Sequence, residues 1–96
     1  MYNLNIIFEY YENKSTINKS KHNIHFQEAQ ELWKDPYSFE LPSAQNEDED
    51  RFLVLGRIHS KNYIAIITYI NENIRIISVR KSRQKEIKLY ESIKAR

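Results

Sequence analysis

The sequence contains no cysteine and only one glycine, and both shortages exclude whole classes of site. Without cysteine the chain can form neither a disulfide framework nor a thiolate zinc site. The one glycine, Gly56, lies inside an apolar run, so no glycine-rich loop is available to cradle a phosphate. A glycine in such a run more often marks a bulge or a close approach of another segment.

Long apolar runs and a cationic N-terminal leader are also missing. No apolar stretch approaches the roughly 20 residues that span a bilayer, and the first basic residue is Lys14. We therefore expect no signal peptide, no membrane association and a cytoplasmic location. With 96 residues, the chain is expected to form one domain, residues 1–96, with one modest hydrophobic core.

Lysine and arginine are scarce in the first three quarters of the chain and abundant at its end. Residues 75–96 contain eight Lys or Arg and two Glu, which gives +6, whereas residues 1–74 contain seven Lys or Arg and eleven acids, which gives −4. The basic end suggests a polyanion or an acidic partner, although a solvated helix face has the same composition. The acidic run of residues 47–50 is interpreted as a solvated loop, or alternatively as a shield over the basic end.

Apolar periodicity predicts one strand and two helices in the first third of the chain. A short strand over residues 4–9 precedes a helix that ends near His22, and Asn23 takes the left-handed conformation just after it. A second helix ends at Asp35-Pro36. Its apolar face shows the spacing i, i+3, i+6, i+7 and consists of Phe26, Ala29, Leu32 and Trp33.

The second half of the chain predicts a meander of strands and a last helix. Residues 36–50 contain both prolines and are expected to form a loop. Three apolar runs follow, separated by the short polar breaks SKN and NEN, which are typical of hairpin turns. Helical spacing returns after Ser82, a favoured N-cap residue type. The predicted fold is α+β, an antiparallel β-sheet flanked by helices in the order β-α-α-β-β-β-α.

Cations near predicted strands are the residues best suited to chemistry. Cleavage of RNA by its own 2′-hydroxyl needs proton removal, stabilisation of an anionic phosphorane and protonation of the leaving group. Arginine suits the second task because its fork grips two phosphate oxygens, and histidine, lysine or tyrosine suits the proton steps. The candidate cations are Lys21 and His22 at the end of the first helix, and Arg51, Arg57, Arg75 and Arg80 on strands.

Each candidate also has an ordinary structural role open to it. His22 can bond the last carbonyls of its helix, and Tyr69 and Tyr90 can be core tyrosines. Arg75 and Arg80 are five positions apart, so a regular strand points them to opposite faces, and they line one site only if a bulge intervenes. The three histidines straddle a helix break or stand alone, so we expect no metal site and no cofactor.

Three blocks of the sequence resemble the BrnT family of bacterial type II toxins. The first, FEYYENKSTINKSKHNIHFQEA, is similar to the family's F-E-W/Y-D-x-x-K, an asparagine four residues later, and K-H-G-[IV]-x-F-x-E-A. The others are DRFLVLGR, similar to E-R-F-x-x-[IL]-G, and IRIISVRKSRQKEIKLYE, similar to R-[IL]-I-S-A-R-x-[AS]-x-x-x-E-x-x-x-Y-E. The departures are Asn23 in place of glycine, Tyr10 and Tyr11 where Trp-Asp is common, and Val79 in place of alanine.

The resemblance implies a compact RelE-like endoribonuclease toxin that inhibits translation by cutting RNA, here without a metal ion. It also implies a BrnA-like ribbon-helix-helix antitoxin, which would neutralise the toxin in a heterotetramer and repress the operon through operator DNA. The catalytic residues that we carry over are Arg75, Ser78, Arg80, Arg51 and His22. Candidates of second rank are Lys21, Tyr69 and Glu86.

Two other functions fit the same residues. A degenerate member of the family would bind its antitoxin and co-repress the operon without cleaving RNA. A general nucleic-acid-binding module would bind through the basic C-terminal segment, with an affinity that falls steeply as salt rises.

Overall fold

The computed structural model describes residues 6–43 and 50–96, which form a five-stranded mixed sheet with flanking helices. The strands are β1 (Phe8–Glu9), β2 (Phe39–Pro42), β3 (Phe52–Ile58), β4 (Lys61–Ile70) and β5 (Asn73–Lys81). The helices are α1 (Glu12–His22), α2 (Phe26–Ala29), which continues as a 3-10 helix over Gln30–Lys34, and α3 (Gln84–Lys94). Across the sheet the strand order is β1-β5-β4-β3-β2. None of the described helices is both long enough and apolar enough to cross a bilayer.

The predicted α+β class and the antiparallel meander of β3, β4 and β5 are confirmed. Two details of the sheet differ from the prediction. The segment predicted as a loop contains β2, in which half-buried Phe39 and Leu41 alternate with exposed Glu40 and Pro42, the pattern of an edge strand that tolerates proline. β1 runs parallel to β5, so the sheet is mixed. The predicted acidic loop lies outside the described residues except for Asp50.

The main hydrophobic core lies between the segment of residues 24–33, which includes α2, and one face of the sheet. The predicted apolar stripe is confirmed, because Phe26, Ala29 and Leu32 are buried and Trp33 packs against them. The sheet contributes Val54, Tyr63, Ala65, Ile67, Ile74, Ile76 and Val79 to this cluster. The other face is partly covered by α3, because Leu55, Ile64 and Tyr90 are buried outside this cluster. The remainder of that face, along β5, is available for a site.

Gly56 marks a close approach and not a bulge. The pairing of β3 with β4 continues without a break through Gly56. A Cβ atom at this position would lie 3.0 Å from Leu32 Cδ2 and 3.2 Å from Ser38 Cβ. The helical segment therefore lies so close to the sheet that any side chain on Gly56 would push it away.

The helix ends follow the sequence with one correction. Asn23 has the left-handed φ of 61°, and its N–H donates to the Lys19 carbonyl oxygen at 2.9 Å, as predicted. The N-cap of α3 is Arg83, so the expectation for Ser82 was wrong. Ser82 is still tied to the sheet, because its N–H donates to the Asn62 carbonyl oxygen at 2.9 Å.

A buried amide on α1 completes the open edge of β5. Asn18 is 5% exposed, and its Nδ2 donates to the carbonyl oxygens of Ile24 and Val79, each at 2.9 Å. Its Oδ1 accepts the N–H of Val79 at 3.1 Å. The side chain thus satisfies both backbone groups of Val79, as a neighbouring strand would.

Replacing Asn18 with alanine should destabilise the protein by about 1–3 kcal/mol, because three buried backbone groups would lose their partners. Asn13→Ala is the matched control, since Asn13 lies on the exposed side of the same helix. Urea unfolding followed by circular dichroism measures both variants. Equal losses of free energy in the two variants would show that the Asn18 bonds contribute nothing beyond helix propensity.

Replacing Asn23 should reveal the cost of its left-handed backbone. Alanine at this position should be about 1 kcal/mol less stable than glycine, because a Cβ atom disfavours positive φ. The free energies of unfolding of Asn23→Ala and Asn23→Gly are to be compared directly. A stability of the alanine variant equal to that of the glycine variant would contradict the strain argument.

Candidate functional site

The ladder between β4 and β5 contains a β-bulge, because β5 has one extra residue between two successive residue pairs. Ser78 and Ile76 pair with consecutive residues of β4, and Ile77 between them has no partner. Such a β-bulge shifts the alternation of side chains by one position. Residues beyond Ile77 therefore point to the face opposite to the one they would occupy in a regular strand.

The bulge brings the candidate residues of β5 to one face of the sheet. Arg75 pairs with Thr68, and Arg80 pairs with Ile64. Their partners are four positions apart on β4 and directly paired residues share a face, so both arginines lie on the same side. Ser78 lies between them on this side. We call the surface that carries Arg75, Ser78 and Arg80 the arginine face; it is opposite the hydrophobic core.

Arg80 is held at one end of the arginine face by Glu86. Its Nη1 and Nη2 donate to the two carboxylate oxygens of Glu86, each at 2.8 Å, and Nη1 also donates to the Lys81 carbonyl oxygen at 3.2 Å. Hydrogen bonding between the two side chains lowers the pKa of Glu86 and raises the pKa of Arg80. Glu86 therefore stays ionised at neutral pH and supports Arg80.

Arg80 keeps hydrogen-bond donors that no described residue uses. A guanidinium has five N–H groups, and the contacts with Glu86 and Lys81 occupy three of them. The Nε–H and one Nη2–H remain, and these two groups point in the same direction. Such a pair can bind two oxygens of a phosphate group at once.

Arg75 is held at the other end of the face by the neighbouring strand β1. Its Nε and Nη2 donate to Glu9 Oε1 at 2.9 and 2.7 Å. Asn73 Nδ2 donates to the second carboxylate oxygen at 3.2 Å. The hydrogen bonds from Arg75, followed by the one from Asn73, lower the pKa of Glu9. The guanidinium also lies 5.4 Å from the centre of the Tyr11 ring.

A basic cleft adjoins the Arg80 end of the arginine face, where α1 ends beside β5. The cleft has a volume of about 340 Å³ and is lined by Lys21, His22, Asn23, Arg80 and Lys81. Within residues 6–43 and 50–96, no hydrogen bond or ion pair engages the side chains of Lys21 and His22. The alternative role of His22 as a cap of its own helix is therefore not seen. The cleft unites three of the predicted residues and adds Lys81.

Arg51 reaches the arginine face from the strand two places away from β5. The register of β3 with β4, continued by one residue, sets Arg51 opposite Thr68, which itself pairs with Arg75. Thr68 Oγ1 donates to the Asp50 carbonyl oxygen at 2.7 Å and so ties this junction to β4. Two strand spacings separate Arg51 from Arg75, or about 10 Å.

Tyr69 lies on the opposite face of the sheet, away from the other seven predicted residues. Its hydroxyl donates to Glu40, and its ring packs edge-on against Phe52 with centroids 5.4 Å apart. Burial, together with the hydrogen bond to Glu40, raises the pKa of Tyr69 to about 12. It borders a separate cavity of about 670 Å³ beside Trp33 and Phe39.

Tyr90 and Arg57 form a structural cluster at the far end of β3. The buried Tyr90 donates its hydroxyl proton to Asp35 Oδ2 at 2.7 Å, as expected of a core tyrosine. The Arg57 guanidinium lies 5.2 Å from the Tyr90 ring centre, and its Nη2 contacts Glu91 Oε2 at 2.6 Å. Arg57 is therefore engaged in attaching α3.

Metal ligands are not gathered anywhere in the described part of the chain: no three His, Asp or Glu side chains form a group that could hold an ion. The arginine face and the cleft themselves offer fixed cations and side chains able to transfer protons.

Three contributors to the site escaped sequence reasoning. Glu9 and Tyr11 flank Arg75, and Lys81, from the basic segment of residues 75–96, lines the cleft. The Phe-Glu pair that opens the first block similar to the BrnT family was a usable signal for Glu9. Nothing local pointed to Tyr11 or Lys81, because both reach the site through the pairing of β1 with β5 and the packing of α1.

Similarity to known proteins agrees with this geometry. A family model described as "Ribonuclease toxin, BrnT, of type II toxin-antitoxin system" matches residues 10–86, a range that includes the arginine face and the cleft. A comparison with curated proteins gave no match. A type II system implies an antitoxin as partner. Because the family model matches most of the length of the chain, the chain belongs to the BrnT family of ribonuclease toxins of type II toxin-antitoxin systems.

Proposed function

We propose that this chain is an endoribonuclease toxin that cuts RNA through the RNA's own 2′-hydroxyl group and thereby inhibits translation. The observation that carries the proposal is the end of the arginine face, where Lys21 and His22 line one cleft with Arg80. Fixed positive charge and side chains suited to proton transfer meet there, and this reaction needs both.

The proposed reaction is a transesterification within the RNA strand. The 2′-oxygen attacks the adjacent phosphorus, the bond from phosphorus to the 5′-oxygen breaks, and the products carry a 2′,3′-cyclic phosphate and a 5′-hydroxyl. One proton leaves the 2′-hydroxyl, and one proton reaches the departing 5′-oxygen. Negative charge grows on the phosphate oxygens in the transition state, so donors fixed beside those oxygens lower the barrier.

We assign the scissile phosphate to Arg80, because Arg80 adjoins the cleft and keeps a pair of N–H groups for phosphate oxygens. Arg75 lies four paired positions away along the sheet, about 13 Å at roughly 3.3 Å per residue. It is therefore assigned to a neighbouring phosphate of the same strand. Ser78 can donate its hydroxyl between the two, and Arg51 extends the basic surface across the strands.

His22 is our first choice for proton transfer, and Lys21 is the second. Both line the cleft with Arg80, and histidine is the side chain that most often transfers protons in enzymes. Glu86 acts through Arg80, whose guanidinium it positions. Tyr69 has no role in this scheme, because it lies on the other face of the sheet.

A ribbon-helix-helix antitoxin is the partner that we propose, in a heterotetramer that binds operator DNA through the antitoxin. Membership of a type II toxin family supports the antitoxin, and the resemblance to BrnT sequences supports its type. RNA cleavage that stops translation places the action in the cytoplasm. Co-purification of the chain with the product of a neighbouring short reading frame tests the pairing directly.

Substituting lysine for Arg80 should lower the rate of RNA cleavage by about 10²–10³-fold, because the charge remains but the fork is lost. Arg75→Lys should mainly weaken RNA binding, since Arg75 is assigned to a neighbouring phosphate. Cleavage of a labelled single-stranded RNA by the purified toxin, in excess EDTA, measures both effects. Chromatography of the products should identify the 2′,3′-cyclic phosphate.

Arg57→Lys is the matched control for these variants, because Arg57 is also paired with a glutamate but lies in the structural cluster with Tyr90. Its cleavage rate should equal that of the wild type. Full activity of Arg80→Lys would refute the assignment, and loss of wild-type cleavage in EDTA would refute metal independence. A wild-type protein that binds antitoxin and operator but cuts no RNA would be a co-repressor instead.

Removing the imidazole of His22 should lower kcat by about 10²–10⁴-fold with little change in RNA affinity, as expected for loss of proton transfer. Lys21→Ala should weaken affinity more than kcat. The control is His25→Ala, because His25 is exposed and does not line the cleft. A rise in KM at constant kcat for His22→Ala would assign His22 to binding and leave proton transfer to another group.

A further inference from the structure

An exposed aromatic ring lies beside the arginine face and has no part in the scheme above. Tyr11 is the N-cap residue of α1 and is 60% exposed. Its ring centre lies 5.4 Å from Cζ of Arg75, which is held in place by the two hydrogen bonds that it donates to Glu9. One side of the ring is therefore occupied by a guanidinium, while much of its remaining surface is accessible.

Tyr11 differs from the other exposed tyrosines in the described part of the chain. Tyr37 contacts Lys94, with Nζ 5.3 Å from the ring centre, and lines a different cavity together with Arg57 and Tyr90. Tyr69 is bonded to Glu40 on the opposite face of the sheet. Among the described residues, Tyr11 alone joins an exposed ring to an arginine that we assign to a phosphate.

From these contacts we infer that Tyr11 stacks on an unpaired base of the RNA, in the nucleotide whose phosphate Arg75 binds. Proteins that hold single-stranded RNA combine cations along the backbone with aromatic rings under the bases. A base and its own phosphate are separated by one sugar, and the Tyr11 ring and the Arg75 guanidinium are in contact. A single nucleotide can therefore engage both side chains. The inference rests on the proposed function, because it assumes an RNA substrate.

Binding of uncleavable RNA tests the stacking independently of cleavage. The probe is a fluorescent single-stranded oligonucleotide with 2′-O-methyl groups throughout, and a second series carries an abasic site at each position in turn. Fluorescence anisotropy gives Kd for the wild type, Tyr11→Ala and Tyr11→Phe. Loss of the ring should weaken binding between about 5-fold and 150-fold, whereas phenylalanine should preserve it.

The abasic series separates stacking from mere positioning of Arg75. In the wild type, one abasic position should weaken binding about as much as Tyr11→Ala does, and it should cost nothing further in that variant. Tyr37→Ala is the matched control, since it removes an exposed tyrosine that also lies over a cation, and it should bind as the wild type does.

Two results would overturn the inference alone. Equal weakening by Tyr11→Ala for the intact probe and for every probe of the abasic series would mean that Tyr11 only orients Arg75. Unchanged binding of the intact probe would mean that Tyr11 contacts no base. In both cases wild-type cleavage of ordinary RNA would leave the proposed function intact. A wild-type protein that neither binds nor cleaves RNA would overturn the proposed function and the stacking together.

Discussion

One unpaired residue in β5 decides whether the chain can have both a core and a site. Ile74 and Ile76 point into the core, and in a regular strand Arg80 would share their face. A guanidinium buried against Phe26 and Leu32 would lose its hydration without a partner, which is strongly unfavourable. The bulge at Ile77 reverses the alternation, so the apolar residues remain inside while Arg80 joins Arg75 outside. Core packing and the arginine face are thus two results of one irregularity.

Beyond the bulge, the backbone at the edge of β5 needs hydrogen-bond partners, and Asn18 supplies them. β1 pairs with β5 only at Ile74 and Arg75, so the backbone beyond the bulge would lack a strand on that side. Asn18 supplies a donor and an acceptor to Val79, one residue before Arg80. An asparagine in the middle of a helix is a poor choice for helix propensity. Its value here is tertiary, because it joins the end of α1, and with it His22, to the strand that carries the arginines.

Local rules account for much of the fold, and tertiary register accounts for the rest. The stripe from Phe26 to Trp33, the hairpin turns and the left-handed Asn23 follow from spacing and residue type, and each was predictable. The orientation of Arg80 was not, since it depends on where β5 slips against β4. Ser82 is not the cap because α3 begins one residue later than predicted, after Arg83, while the Ser82 N–H still bonds to the sheet. Sequence reasoning could name the residues of the arginine face but could not tell that they share it.

The arginines of the face and the lysines of the cleft contribute differently to the attraction of RNA. Arg75 and Arg80 are each paired with a carboxylate, so at distances beyond the Debye length, about 8 Å in physiological salt, their net field is small. Among the described residues, Lys21 and Lys81 have no such partner, and both lie in the cleft. Within the proposed site, long-range attraction therefore rests on the lysines of the cleft, while the paired arginines are suited to act at short range as donors whose geometry is already set. In the proposed function, this division would draw a strand of RNA first to the end of the face where Arg80 and His22 lie.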